Sequence, residues 1–152
     1  MSLYSAITGG EVALSAATAK TVLAITSPAQ HGFKLTKAMY AFDGVTAANE
    51  PVLVEVVEFT QGTGTSTAVT LADVAGLAVA AASNFEGRKN FTSEPTGLSV
   101  LDEVSVTPFA GAVVLPFPLG EEYEIGVSLG IGLRFTAPQT VNVRATLLGR
   151  RI

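Results

Sequence analysis

The stretch from Phe117 to Leu148, FPLGEEYEIGVSLGIGLRFTAPQTVNVRATLL, restricts the fold more than any other part of the 152-residue chain. Leu129, Ile131, Leu133 and Phe135 alternate there with Gly130, Gly132 and Arg134, which is the period of a half-buried strand. Val141, Val143, Ala145 and Leu147 alternate in the same way with Asn142, Arg144 and Thr146. Ala137 to Thr140 lies between them as a short turn with φ fixed by Pro138. The stretch reads as three consecutive strands, the last two forming a hairpin with one apolar and one polar face. A lone hairpin is marginal in water, so the apolar face requires a second sheet to cover it.

The preceding residues supply that sheet. Met1 to Gly10 is short, uncharged and closed by two glycines, and reads as an extended N-terminal arm anchored by Leu3, Tyr4 and Ile7. Glu11 to Leu14 and Lys20 to Thr26 read as strands. Phe33 to Asp43 is a strand with large apolar groups on both sides near its end, where Tyr40 and Phe42 oppose Met39 and Ala41. Pro51 introduces Val52 to Thr60, the most β-prone run. Its period leaves two inner faces open, Val52/Val54/Val56 or Leu53/Val57/Phe59. Gln61 to Thr67 reads as a loop, Ala68 to Leu71 as a strand, and Phe85 to Gly97 largely as loop. Another alternating strand runs through Val104 and Val106, and a short apolar run from Gly111 to Phe117 is stopped by prolines. Eight to ten short strands with no clear helix predict one all-β domain, residues 11–152, built as a jelly-roll-like antiparallel β-sandwich behind an arm of residues 1–10.

Composition narrows the function. Charged residues make up only 14% of the chain, below the usual quarter, so part of the surface is neutral or apolar, as at a subunit interface. The net charge of −4 and the scattered basic residues argue against nucleic acid. Without cysteine there are no disulfides, thiol nucleophiles or zinc-thiolate sites. The first residues lack the basic, apolar pattern of a secretory signal, and the longest apolar run, Val74 to Ala82, is about half of what crosses a bilayer. The expectation is a soluble chain that does not enter a membrane.

Catalytic chemistry finds little to work with. The single histidine, His31, stands in a turn ahead of a strand. The carboxylates of Asp102–Glu103 and of Glu121, Glu122 and Glu124 sit at turns and strand starts without calcium-loop spacing. The Gly62–Thr65 loop lacks the lysine of a phosphate-binding loop. The expectation is a protein that is not an enzyme and has no cofactor or metal. A carbohydrate partner, met by exposed Tyr40 or Tyr123 in a head-surface or host-binding module, is the alternative.

The start LYSAITGGEVALSAATAKTVL, the middle FDGVTAANEPVLVEV, the FPLGEE turn and the ending LGIGLRFTAPQTVNVRATL resemble the capsid decoration proteins of tailed bacteriophages, also called auxiliary or cement proteins, including those of phages infecting thermophilic bacteria. The basic ending Gly149–Ile152 departs from that pattern. The resemblance implies a homotrimer on the outer surface of the virion, bridging subunits of the major capsid protein and reinforcing the shell. Leu3, Tyr4, Ile7, Tyr40 and Phe42 are the expected contacts to capsid or neighbouring subunits.

Overall fold

The computed structural model describes residues 3–43, 50–74 and 84–152, which form an all-β sandwich of two antiparallel sheets. Thirteen strands are present among them: β1 (Leu3–Ile7), β2 (Val12–Leu14), β3 (Ala19–Thr26), β4 (Phe33–Asp43), β5 (Val52–Thr60), β6 (Thr65–Val69), β7 (Ala72–Asp73), β8 (Glu86–Ser93), β9 (Ser99–Val106), β10 (Val113–Pro116), β11 (Tyr123–Ile125), β12 (Leu129–Thr136) and β13 (Val141–Arg151). One sheet has the order β10-β4-β13-β1-β7, with β11 extending the β10 edge of β4 and β2 extending the β1 edge of β13. The other has the order β6-β8-β3-β12-β5-β9. The chain repeatedly crosses between the two, placing β3, β5 and β12 opposite β4 and β13.

That crossing corrects the expected closing hairpin. β12 pairs with β3 and β5 in the six-stranded sheet, while β13 pairs with β4, β1 and β2 in the seven-stranded one. The Ala137–Thr140 link is a corner between sheets, and Ala137 is fully buried inside it. Ile131, Leu133 and Phe135 therefore meet Val143, Ala145 and Leu147 across the core instead of beside them.

The expected arm is also part of the sandwich. β1 is bonded to β13 from Leu3↔Arg150 to Ile7↔Thr146, and to β7 on its other side. Strand alternation turns Tyr4 and Ala6 into the core and leaves Leu3, Ser5 and Ile7 on the outer face.

Two further ambiguities have local causes. β4 shifts register against β13 between Leu148 and Gly149, which makes Thr36 an extra residue; Phe33 and Leu35 point inward before it and Ala38 and Tyr40 after it. This bulge is why both sides of the strand look apolar. In β5, Val52, Val54 and Val56 face the main core, but Val57 and Phe59 are equally buried on the outer face, where they pack with Ala24, Phe91 and Leu98. The cover is the Glu94–Leu98 crossover, which passes over β3, β12 and β5 to join β8 to β9. β8 itself occupies residues read from the sequence as loop, with Asn90 at φ 50° marking an irregularity within it. Of the QGTGTST run read as loop, only Gln61–Gly64 is a turn, with Gly62 and Gly64 at positive φ; Thr65–Thr67 already belong to β6. The apolar run Val74 to Ala82 lies almost wholly outside the described residues.

Candidate functional site

The outer face of the seven-stranded sheet carries one uncharged row between basic ones. The ladder places Ile7, Thr146, Met39 and Val114 in one row across β1, β13, β4 and β10. Ile7 is 52% and Val114 51% exposed, well above what an inward-facing strand position allows. Ser5, Leu148, Lys37 and Pro116 form the next row, and Arg144 pairs with Ala41 on the other side. A shallow groove of about 480 Å³ follows these rows between Ile7, Met39, Ala41 and Val114. Its polar lining includes Arg144, which faces Glu11 at 3.7 Å; Glu11 also accepts from Asn142 at 2.9 Å.

The residues expected at an interface divide between this face and the core. Leu3 and Ile7 point outward on it. Tyr4 and Tyr40 are 1% and 2% exposed and cannot touch a partner in the folded chain. Tyr4 stacks 5.6 Å from Phe85, and Tyr40 packs edge-on against Phe135 at 5.4 Å. Phe42 is half-buried, its ring closing the same aromatic cluster from the end of β4. For β1 the signal lay in the sequence already, because a period of two separates Tyr4 from Leu3 and Ile7. Met39, Val114 and Thr146 went unrecognised because only the strand order brings them together.

At one end of this face, Glu122 lies between two cations and is tied to the turn before it. Its carboxylate accepts from the Gly120 N–H at 2.7 Å and from Arg150 at 3.1 Å, with Lys34 Nζ at 3.9 Å. Lys34 also pairs with Glu124. The Gly120 hydrogen bond, aided by the two cations, holds the Glu122 carboxyl below its ordinary range. These acids serve as structural partners of β4 and β13.

Tyr123 points into the open side of the sandwich and donates its hydroxyl to Asp102 on β9 at 2.8 Å. Burial first, and then the bond to the Asp102 carboxylate, push the phenol up to about 12. With Tyr40 in the core and Tyr123 tied to Asp102, neither tyrosine offers the free aromatic platform that the carbohydrate alternative requires.

On the outer face of the six-stranded sheet, Arg134 forms a two-pronged pair with its ladder neighbour Glu55, at 2.7 and 3.1 Å. The bond to Glu55 raises the guanidinium above its usual value despite partial burial. Glu94 accepts from both the N–H and the hydroxyl of Thr21, at 2.6 and 2.7 Å, where the β3–β12 ladder slips by one residue. His31 is half-exposed in the turn before β4. Among the described residues, no group of three or more histidines or acids could hold a metal ion.

The fold thus defines a two-sheet β-sandwich whose seven-stranded sheet carries an uncharged row on its outer face. Comparison with protein-family models, curated proteins and solved structures finds no match to the chain.

Proposed function

We infer that this chain is a capsid decoration protein, which binds the outside of a tailed-phage head as a homotrimer and stabilises the shell by bridging major capsid protein subunits. The row Ile7–Thr146–Met39–Val114 carries the reading: it is an uncharged strip, flanked by Lys37 and Arg144, that water covers poorly and a protein surface covers well. Low charge content and the sequence resemblance to cement proteins support the same conclusion. The N-terminal segment acts here as strand β1, widening the face with Leu3 and Ile7, instead of as a reaching arm. Each aliphatic side chain buried there contributes roughly 1.5 to 3 kcal/mol before ordering costs. Repetition over many shell sites multiplies a modest contact.

Two measurements test this. Light scattering of the purified chain should give about three times 15.6 kDa, and the chain should co-sediment with phage heads stripped of decoration protein. Ile7→Lys with Val114→Glu should weaken both while leaving the circular dichroism of the sandwich unchanged. A wild-type monomer that ignores stripped heads would sink the proposal.

A further inference from the structure

The free edge of the six-stranded sheet offers a second surface, of a different kind. β9 pairs with β5 on one side, and no strand pairs with its other side among the described residues. The other edges are short or blunted. β7 has two residues, β11 three, and β10 four ending on Pro116; β6 is five residues rich in threonine and serine. β9 is eight residues long, contains no proline, lysine or arginine, and is exposed along all but its last residue. Such an edge is a template for another strand, which here would displace the bond from the Glu103 N–H to the Asp102 carboxylate at 2.8 Å.

Its register specifies what would fit. A bulge sets Leu101 apart, leaving Asp102–Val106 as regular strand. Val104 and Val106 pair with the core residues Val54 and Val52, so they face inward, yet Val104 remains 45% exposed because the core is open on this side. Glu103 faces outward beside Glu55. The outer row across the sheet is then Thr21–Arg134–Glu55–Glu103. Arg134 satisfies Glu55 from one side, and Glu103, next to a second carboxylate, forms no ion pair among the described residues. A strand added at the edge would place one side chain beside Glu103 and its two sequence neighbours beside Asp102 and Val104.

We propose that the β9 edge binds an extended segment of another protein by strand addition, and that this segment alternates Lys or Arg with aliphatic residues. The basic side chain completes the row at Glu103, and the aliphatic ones cover Val104. A second copy of this chain is the wrong occupant, because β9 contains no lysine or arginine and so brings no cation to Glu103 in any register. The inference does not rest on the capsid reading, since the edge and its charge row exist whatever the outer sheet face binds.

The probe is an acetylated, amidated peptide, Thr-Val-Lys-Val-Lys-Val-Thr, compared with the same peptide carrying Glu in place of both Lys. Amide NMR of the full chain at low salt should show the lysine peptide shifting and protecting the amides of Asp102–Val106, at least tenfold more tightly than the glutamate peptide. Glu103→Lys, a change at an exposed position whose folding the same spectra verify, should reverse that preference. Absence of binding at millimolar peptide, perturbation confined to another edge, or a preference unchanged by Glu103→Lys would each overturn the proposal. So would self-association of the wild-type chain through β9.

Discussion

The hydroxyl of Tyr40 is buried among aromatic rings and has no hydrogen-bond partner among the described residues. Burial raises its pKa, as expected for a phenol that cannot ionise without water. An unsatisfied buried polar group costs about 1–3 kcal/mol, whereas the ring itself is well packed. Tyr40→Phe should therefore be neutral or stabilising by about 1 kcal/mol, read from the urea midpoint. A clear loss would mean that the hydroxyl has a partner. Arg134 presents the opposite case, because its partner Glu55 is nearly covered and would be stranded without it. Arg134→Met should cost about 2 kcal/mol, less than the roughly 3–5 of a fully buried pair because the guanidinium is partly solvated. Adding Glu55→Leu to that variant should recover most of the loss, which a double-mutant cycle would show. No recovery would mean that the arginine acts through packing instead of charge.

Among the elements, β12 depends on glycine for its outer face. A methyl group on Gly130 would lie 2.3 Å from the Phe59 ring, which crosses the strand at that point. Gly130→Ala should destabilise by about 1–3 kcal/mol through overpacking, by thermal or urea unfolding. An unchanged midpoint would show that Phe59 can move aside. The Glu94–Leu98 crossover that covers this face is fixed by two bonds from Thr21 to Glu94 and by the Thr60 N–H to the Thr96 carbonyl at 3.0 Å. Glu94→Ala should expose the Thr60 amide to hydrogen exchange well before the core amides exchange; equal protection would mean that the crossover holds without it. Most strand positions could be read from the sequence, including the bounds of β4 and β5, although the bulge at Thr36 reverses the facing that strict alternation gives the second half of β4. The partnership of β12 and β13 was also legible, though it was misread. A four-residue turn pairs Thr136 with Val141, and hence Phe135 with Asn142 and Leu133 with Arg144. Apolar and polar side chains would then share each face of the hairpin, so the two strands satisfy their patterns only in separate sheets. The second buried face of β5 was not legible, because its cover comes from five residues, Glu94–Leu98, that look like any exposed loop. The outer-face row was hidden for a related reason: its four members are far apart in sequence and meet only through sheet order.

At the scale of the whole molecule, two polar ties, one within the seven-stranded sheet and one between the sheets, fail at opposite ends of the pH range. Glu122 joins the turn before β11 to Lys34 on β4 and Arg150 on β13. Its folded-state pKa is lowered from 4.5, so its contribution is fully present above that value and disappears as pH falls through the folded pKa. Tyr123 joins the edge of one sheet to Asp102 on the edge of the other, and its pKa is raised from 10.0 to about 12. Below pH 10 both folded and unfolded chains keep that proton. Between 10 and about 12 the unfolded chain releases it while the folded chain retains it, so this stabilisation declines as pH rises through that window. Tyr40, raised in the same direction, adds to the decline. Urea midpoints measured across pH should thus fall at both ends. Glu122→Gln should flatten the acid limb alone, and Tyr123→Phe the alkaline limb alone. The tyrosine variant tests whether the two sheet edges are joined as described. If its alkaline limb matches that of the wild type, the Tyr123–Asp102 bond does not link the sheets in solution, and β9 is held only by its ladder to β5. The edge would then be freer to meet a partner, and less firmly positioned when it does.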